Sequence, residues 1–424
     1  MTAPFWIMKS VGSPVAGFGY SPARPRRRRL ASESFGRDGF LMRTLSVEQL
    51  DDNYDAWRDL ARRSLEPNAF IEPGFALSLA RHSPAKSRPQ FVAVWREGES
   101  AGEQRRLVGL FPLTPASSWS GFWLGGGLAR LWLDKQAALA APLLDRDCAE
   151  AVVEQFFEWL ARTRPAAGIV FPRLVKDGPV HRAILNAARG SGRAVAILDE
   201  FERAVLPAGS DADELWLRGA SKKALKDLHR RQRRLAELGA VEFSVVSSPQ
   251  EVRDALEQFL TLEASGWKGG SGALLSHPAL SAFARSATRM LARENKCSVA
   301  RLTLAGRPLA MGVVIESRGR AYFWKIAFDE AFRAQAPGIH LLYELTRAQA
   351  ARGDIDMTDS CAIANHPMID RFWPDRLAIC DVAVQSRAGV TGAFDAACRA
   401  DALRRNLRAS VKRAVKRLLG RKES

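Results

Sequence analysis

Three consecutive segments near the C-terminal end of the chain decide the fold: AYFWKIAF (321–328), DEAFRAQAPG (329–338) and IHLLYELTRAQAAR (339–352). The first is apolar and aromatic, as in a buried strand, and the third carries leucines at helical spacing. The Pro-Gly pair between them is typical of a loop that opens a helix. Backbone N–H groups at such a helix start can hold an anion, and Gly338 lets a ligand approach closely. An ordinary helix start has the same pattern, so the sequence predicts a strand, a loop and a helix, with an anion site as one interpretation.

The composition is that of a globular protein with an excess of positive charge. Of the 424 residues 47% are hydrophobic, and the formal net charge is +17. This length suits two or three domains, and the charge favours polyanions or anionic lipid as partners. The five cysteines form no CxxC pair, so we expect reduced thiols in a cytoplasmic protein and no metal. The sequence shows neither an apolar run of membrane-spanning length nor the apolar region of a secretion signal.

Shifts in composition divide the chain into four predicted parts. Residues 1–39, rich in Pro, Gly, Ser and Arg, are expected to be a disordered basic arm. Strand and helix patterns alternate over 40–206, which indicates an α/β half. Residues 210–386 follow a Pro/Gly/Ser/Asp stretch, and their pattern predicts an antiparallel meander and a strand–helix–strand unit. Residues 387–424 are predicted to form a basic amphipathic C-terminal helix.

Two of the predicted helices concentrate positive charge. Over 222–235, seven Lys or Arg residues and one Asp accompany a leucine face. This helix either faces an anion, such as a nucleotide phosphate, RNA or lipid headgroups, or is an ordinary solvated surface. Over 399–422, leucines and valines fall on one side of a helix and arginines and lysines on the other. Such a helix either lies on an anionic membrane surface or packs its apolar stripe on the protein itself.

Several segments of the second half resemble a known family. They are SKKALKDLHRRQRRLAELG (221–239), Glu263 with the turn Trp267-Lys268-Gly269, WKIAFDE (324–330), Ala336-Pro337-Gly338 and DSCAIANHPMIDRFWPDR (359–376). Together they resemble the BioF2-like, or CelD-like, acetyltransferase domain of the GNAT superfamily, which is related to the FemAB-type transferases. The resemblance covers about 210–385. It implies an α/β fold of two tandem GNAT-like halves, each a mixed, mainly antiparallel sheet flanked by helices.

The resemblance also implies an acyltransferase that uses acyl-CoA, either acetyl-CoA or a longer acyl-CoA. Strands 320–328 and 354–359 would splay apart and pair with the pantetheine amides. The implied catalytic residues are Glu263, Lys325, Asp359 and Tyr343. The implied cofactor-binding residues are Gln335, Ala336, Gly338, Ile339 and His340. The implied acceptor-binding residues are Trp267, Lys268, Asp329 and His366.

Each implied catalytic residue has a structural alternative. Transfer needs a base, a donor for the developing oxyanion and an acid for the thiolate. Glu263 and Asp359 are candidate bases, although an ion pair or a cap would also explain each carboxylate. Lys325 would bind the acceptor or stabilise charge, although an ion pair with Asp329 or Asp359 would also explain it. Tyr343 is a candidate acid, with core packing as its alternative.

The implied function is N- or O-acyl transfer to an amine or hydroxyl, for example of a glycan in exopolysaccharide or cell-envelope synthesis. The enzyme would be cytoplasmic, or peripheral at the inner membrane surface through 399–422. One alternative is a FemAB-like transferase that uses aminoacyl-tRNA, although RNA is the weaker partner prediction. The other is a non-catalytic, membrane-associated assembly factor for polysaccharide synthesis.

Overall fold

The computed structural model describes residues 34–35, 39–98, 105–115, 127–163, 166–219, 222–266, 272–389 and 391–420. Almost all of the predicted basic arm, and the predicted acceptor residues Trp267 and Lys268, lie outside the described residues. The strands are β1 Ser34–Phe35, β2 Phe40–Leu45, β3 Gln90–Arg96, β4 Arg106–Leu113, β5 Leu128–Arg130, β6 Leu143–Leu144, β7 Gly168–Val175, β8 Val195–Pro207, β9 Val241–Val246, β10 Cys297–Leu304, β11 Arg307–Ser317, β12 Arg320–Phe328, β13 Met357–Asp359 and β14 Asp375–Gln385. The helices are α1 Val47–Asp51, α2 Tyr54–Arg63, α3 Pro73–His82, α4 Ala149–Thr163, α5 Pro179–Gly190, α6 Ala212–Gly219, α7 Lys222–Ala236, α8 Pro249–Ser265, α9 Pro278–Arg293, α10 Pro337–Ala350 and α11 Thr391–Gly420.

The described strands form two sheets. The first has five strands in the order β1-β2-β3-β4-β6, all antiparallel. The second has nine strands in the order β5-β7-β14-β8-β13-β12-β11-β10-β9, with parallel pairs between β5 and β7 and between β12 and β13. Helices pack on both sheets. The predicted α/β class, with mainly antiparallel sheets flanked by helices, is confirmed.

Strand β14 joins the two predicted halves of the chain. It lies between β7 and β8, and Val384 is opposite Ile169 on one side and Val195 on the other. Its residues Cys380 and Val382 are buried in the same core cluster as strand β7. The domain boundary between residues 206 and 210 stays a prediction. The hydrogen bonds of β14 join strands from both sides of it.

The strands β10, β11 and β12 form the predicted antiparallel meander. Their two turns each place two consecutive residues at positive φ. Ala305 and Gly306 have φ of 47° and 77°, and Arg318 and Gly319 have φ of 39° and 77°. Two-residue turns of this kind match the right-handed twist of the flanking strands, which is why they produce tight hairpins.

A bulge in β12 and the early end of β13 shape the region around the candidate site. Opposite β11, Lys325 pairs with Val313 and Phe323 pairs with Val314, so Trp324 is an extra residue in β12. On the other side, β13 pairs with β12 only from Arg320 to Tyr322 and then turns away. The strand predicted over 354–359 begins only at Met357, so it is shorter than predicted.

The side chain of the bulged residue Trp324 is fixed by aromatic residues from both halves of the chain. Its ring lies 5.5 Å from that of Phe75 on α3 and 5.8 Å from that of Phe283 on α9, both edge to face. Its indole N–H donates to the carbonyl of Gln136 at 2.8 Å. These contacts hold β12 in register with the rest of the core, since aromatic pairs of this geometry are favourable beyond their burial.

Candidate active site

A cavity of about 220 Å³ opens beside the second half of β12, where β13 has turned away. The end of α8, the end of β12 and the loop after β13 all contribute to it. The lining residues are Leu262, Glu263, Gly266, Ile326, Ala327, Phe328, Glu330, His366 and Met368. Two residues that the sequence predicted for the site, Glu263 and His366, thus lie at the same cavity.

Glu263 lies in the last turn of α8 and is only 4% exposed. The helix starts at Pro249 after a Ser248 cap, and its apolar face packs into the core. One carboxylate oxygen of Glu263 accepts a hydrogen bond from the backbone N–H of Leu274 at 2.8 Å. The rest of the chain therefore orients this carboxylate at the cavity wall, as a catalytic base requires.

His366 lies in the loop that follows β13. Its Nδ1 accepts from the backbone N–H groups of Met368 and Ile369, both at 3.3 Å. A neutral imidazole that accepts at Nδ1 carries its hydrogen on Nε2. A neutral His366 can therefore donate a hydrogen bond through Nε2, and the residue lines the cavity.

Lys325 is half-buried at the bulge of β12, and its Nζ lies 5.4 Å from the ring centre of Trp324. This distance suits a cation–π contact. The two aspartates that the sequence suggested as its partners are paired with arginines. Asp329 bonds Arg307 at 2.9 Å, and Asp359 bonds Arg203 at 2.5 Å.

Asp359 ends β13 and is fully buried together with Arg203 of β8. Its second oxygen accepts from the backbone N–H of Cys361 at 2.8 Å, while Arg203 also donates to the carbonyl of Ala138 at 3.1 Å. The carboxylate is not among the groups that line the cavity. The geometry is that of the ion-pair alternative considered for this residue, and the pair holds β13 to β8.

The predicted helix start is present, and α10 begins at Pro337. Ala336 before it has φ 54° and ψ 51°, the left-handed conformation that redirects the chain. The N–H groups of Ile339 and His340 both bond the carbonyl of Ala336. A Cβ at Gly338 would lie 3.3 Å from the ring of Phe328, so the glycine lets the helix start close to the end of β12.

His340 is buried in the first turn of α10. Burial lowers its pKa to about 4, although a hydrogen bond to the backbone of Gln335 opposes this shift. The imidazole is therefore neutral at neutral pH. Among the described residues, its Nε2 and the side-chain oxygen of Gln335 are buried without a hydrogen-bond partner. Buried polar atoms are normally paired, so these two can accept hydrogen bonds from a water or a ligand at the helix start.

Tyr343 and Asp329 have structural contacts away from the cavity lining. The hydroxyl of Tyr343 donates to Asp213 at 2.6 Å, and its ring packs edge to face on Trp216. Burial and then Asp213 raise the pKa of Tyr343 to about 12. Asp329 caps the turn after β12 by accepting from the N–H of Ala331 at 3.0 Å.

Two residues near the site were missed by the sequence reasoning. Arg203 follows Glu202 and directly precedes the apolar run Ala204–Leu206 of β8, so its sequence context did not mark it as buried. Glu330 lies within the quoted segment 324–330 but was given no role, and it lines the cavity. No group of three His, Cys, Asp or Glu residues in the described part of the chain is placed to hold a metal ion.

One segment of the chain matches a family model. Residues 222–366 match the family model described as acetyltransferase (GNAT) domain, and no curated protein matches the sequence. One similar structure is the C-terminal domain of a protein described as a lysylphosphatidylglycerol synthetase from Agrobacterium fabrum. It has 15% identity, a TM-score of 0.47, and coverage of 83% of this chain and 95% of that one.

Two further solved structures are similar. For FemX the identity is 10%, the TM-score 0.48, and the coverage 78% of this chain and 95% of that one. A tandem GNAT protein from the clavulanic acid biosynthesis pathway has 15% identity and a TM-score of 0.37. The coverage is 83% of this chain and 100% of that one. All three TM-scores are below 0.5, so these likenesses assign neither a substrate nor a mechanism to this chain.

The matched segment runs from the basic helix α7 through the meander and α10 to His366 at the cavity. The match confirms, for the second half of the chain, the GNAT resemblance that the sequence motifs predicted. Residues 222–366 form a GNAT acetyltransferase domain, and the chain that contains them is an acyltransferase.

Proposed function

We propose that the cavity beside β12 is the transfer site of an N- or O-acyltransferase that takes its acyl group from acyl-CoA. One observation carries the proposal: β13 leaves β12 after Tyr322, and the cavity lies beside the part of β12 that follows. An extended pantetheine chain can add to such a strand edge through its amides. The start of α10, which packs on Phe328 at the end of β12, would then receive the diphosphate.

In this proposal Glu263 acts as the general base. It takes the proton from the amine or hydroxyl of the acceptor while that atom attacks the thioester carbonyl carbon and forms the new C–N or C–O bond. The C–S bond then breaks, and the thiolate of CoA takes up the proton that Glu263 received. Lys325 stabilises the developing negative charge or binds the acceptor, and His366 binds the acceptor through its Nε2 hydrogen.

The roles of the remaining residues are part of the same proposal. Asp359 and Tyr343, the other implied catalytic residues, would act by positioning β13 and α10. Gln335, Ala336, Gly338, Ile339 and His340 would lie beside the diphosphate, with the N–H of Gly338 as its donor, because those of Ile339 and His340 bond the carbonyl of Ala336. Asp329, Trp267 and Lys268 would stand on the acceptor side. The acceptor would be an amine or a hydroxyl. Our prediction for it is a glycan used in exopolysaccharide or cell-envelope synthesis, and the enzyme would act in the cytoplasm.

Acyl-CoA is expected to raise the melting temperature of the full chain. A ligand at 100 times its Kd adds about 2.7 kcal/mol to the free energy of unfolding, whereas a Gly338→Val variant should show little shift because its side chain would fill the space beside Phe328. The measurement is a thermal-shift series with acetyl-CoA, longer acyl-CoAs and bulk tRNA at moderate salt.

Gly353→Val is the matched control, since a Cβ at Gly353 meets nothing within 4 Å. Stabilisation by tRNA alone would support the aminoacyl-tRNA alternative instead. No stabilisation by any of these ligands would count against a transferase that uses either donor.

We also propose that helix α11 binds an anionic membrane surface. Its beginning is attached to the protein, because Phe394 is buried and the buried Asp401 bonds Arg130 at 3.1 Å. Leu403, Leu407 and Val411 are 62%, 59% and 61% exposed. These three positions are one helical turn apart, so they form an apolar stripe that does not pack on the protein.

The charge of α11 selects the kind of surface. The helix carries eight Lys or Arg residues against two Asp, which complements the anionic lipids of a membrane surface. No helix in the described part of the chain is long and apolar enough to cross a membrane. Binding would therefore occur at the surface, with the stripe in the interface.

The full chain is expected to sediment with vesicles of phosphatidylcholine and phosphatidylglycerol more than with phosphatidylcholine alone. Leu403→Gln with Leu407→Gln should lower the partition constant about tenfold or more, because each buried CH₂ group contributes about 0.8 kcal/mol. Ile197→Gln with Leu238→Gln, at residues 56% and 60% exposed elsewhere, is the control and should bind normally.

Equal binding by the two double variants would overturn the membrane proposal. A second outcome would also overturn it: light scattering that shows a dimer of the native chain and a monomer of the Leu403/Leu407 variant. The stripe would then be an interface between two copies of the protein.

A further inference from the structure

The cavity beside β12 has mainly apolar walls. Of the nine described residues that line it, five carry apolar side chains: Leu262, Ile326, Ala327, Phe328 and Met368. They come from α8, from β12 and from the loop after β13, so three different elements of the fold enclose the space. Walls of this kind favour hydrocarbon, because apolar surface gains free energy when it leaves water.

These apolar walls belong to the packed interior. The side chains of Ile326, Phe328 and Met368 pack against one buried core cluster, and Leu262 is part of another. Protein interiors leave few voids larger than a water molecule, and the atoms around an unfilled apolar space lose dispersion contacts. An apolar ligand would restore these contacts, so the cavity is suited to a hydrocarbon group.

The volume of the cavity limits the size of that group. The cavity measures about 220 Å³, whereas an apolar protein cavity of about 150 Å³ holds benzene, with its six carbon atoms. By proportion the cavity takes roughly six to nine carbon atoms. An acetyl group, which is much smaller than benzene, would leave most of the space empty.

The acceptor has a separate approach to the cavity. An open groove of about 690 Å³ runs along α8 and meets the cavity at Leu262 and Glu330. On α8 the groove is lined by polar side chains, among them Gln258, Thr261 and Ser265. An amine or a sugar can therefore reach the cavity through polar surroundings, which leaves the apolar space to another part of the reaction.

We propose that the cavity holds the acyl chain of the donor and that the protein transfers a medium-chain acyl group, of about six to eight carbon atoms. The inference rests on the proposed function, which puts the thioester beside the same part of β12. The bonds that form and break are those of the proposed transfer, and the cavity adds the selection of the chain. Leu262, Phe328 and Met368 are the residues that determine its length.

The test measures the binding of acetyl-, hexanoyl-, octanoyl- and dodecanoyl-CoA to the full chain by titration calorimetry. The native protein is expected to bind hexanoyl-CoA at least about tenfold more tightly than acetyl-CoA, because each buried CH₂ group contributes about fourfold. Octanoyl-CoA should bind at least as tightly as hexanoyl-CoA. Dodecanoyl-CoA should gain nothing over octanoyl-CoA, since its last carbon atoms would lie outside the cavity.

Two substitutions of Met368 should move the preference in opposite directions. This side chain is half-buried and lies in the loop after β13, so its size can change without a change in a strand or helix. In Met368→Trp the larger ring fills the space, and the preference for hexanoyl- over acetyl-CoA should fall to about one while the Kd for acetyl-CoA stays native. In Met368→Ala the cavity is longer, and dodecanoyl-CoA should bind more tightly than octanoyl-CoA. Either variant tests the inference if the other does not fold.

The control is Met357→Trp, the same substitution at another half-buried methionine that does not line the cavity, and it should keep the native preference. A native protein that binds acetyl- and hexanoyl-CoA equally, or native preferences in both Met368 variants, would overturn the inference and leave acyl-CoA binding intact. Equal weakening of all four ligands in the Met368 variants would also overturn it, because the residue would then act on the pantetheine or on the fold. If the native protein binds none of them, the proposed function fails first and the inference fails with it.

The acceptor is the other possible occupant of the cavity, and the same variants identify it. Met368 variants that change the KM of the acceptor and leave the chain-length preference native would assign the cavity to the acceptor and overturn the inference.

Discussion

A Glu263→Gln variant should transfer acyl groups about 10²- to 10⁴-fold more slowly than the native enzyme, the usual contribution of a general base. Its melting temperature should change little, because the amide oxygen of Gln can still accept the hydrogen bond from Leu274 that the carboxylate accepts at 2.8 Å. The substitution thus removes the base and keeps the shape. The transfer rate is measured by chromatography, as the release of CoA from acetyl-CoA with an amino sugar as acceptor.

Glu257→Gln is the matched control for this variant. Glu257 lies on the same helix as Glu263, is exposed, and bonds Arg285 at 2.7 and 2.8 Å. Its loss should leave the rate unchanged. A native rate in the Glu263 variant would remove Glu263 from the chemistry, and a fall in melting temperature that parallels the fall in rate would make it a structural anchor only.

An Asp359→Asn variant is expected to lose about 3–5 kcal/mol of folding stability, the usual effect of removing one partner of a buried ion pair. Arg203 would be left as an uncompensated charge in a site from which water is excluded, since both residues are at most 1% exposed. The measurement is denaturant unfolding of the full chain. Asp354→Asn, which breaks the surface pair with Arg352, is the control and should lose less than about 1 kcal/mol.

A double variant keeps this prediction testable if Asp359→Asn does not fold. Arg203→Met/Asp359→Leu removes both charges, and such replacements are often neutral or stabilising. The double variant should therefore be more stable than the single one. If it is equally unstable, the ion pair is not the reason that Asp359 matters.

Local sequence signals predicted the parts of the site that depend on neighbouring residues. The apolar run at 321–328, the Pro-Gly pair and the spaced leucines led to β12 and to α10, which begins within the predicted loop. The positions of Glu263 and His366 followed from motifs alone, and the structure brings both to one cavity. The strand and helix predictions succeeded because each depends on a short stretch of backbone, whereas the roles of Glu263 and His366 stay predictions.

Features that depend on distant pairing were out of reach of such signals. Arg203 and Asp359 are 156 residues apart, and no periodicity connects them. The sequence showed an apolar and a basic face on the C-terminal helix, but not whether the protein covers the apolar face. The structure shows that Leu403 and Leu407 on that face are exposed. In each case the deciding information lies in the surface against which an element packs.

The place of β14 between β7 and β8 has a consequence for how the protein is made. Strand β7 ends 200 residues before β14 begins (375 − 175), and β8 ends 168 residues before it (375 − 207). Each of these strands has one edge that is paired only once β14 has been synthesised. Pairings of such large sequence separation form slowly, and open strand edges attract other chains in the meantime. During synthesis the sheet of the first half therefore lacks β14, and it can be completed only after residues 375–385 have been made.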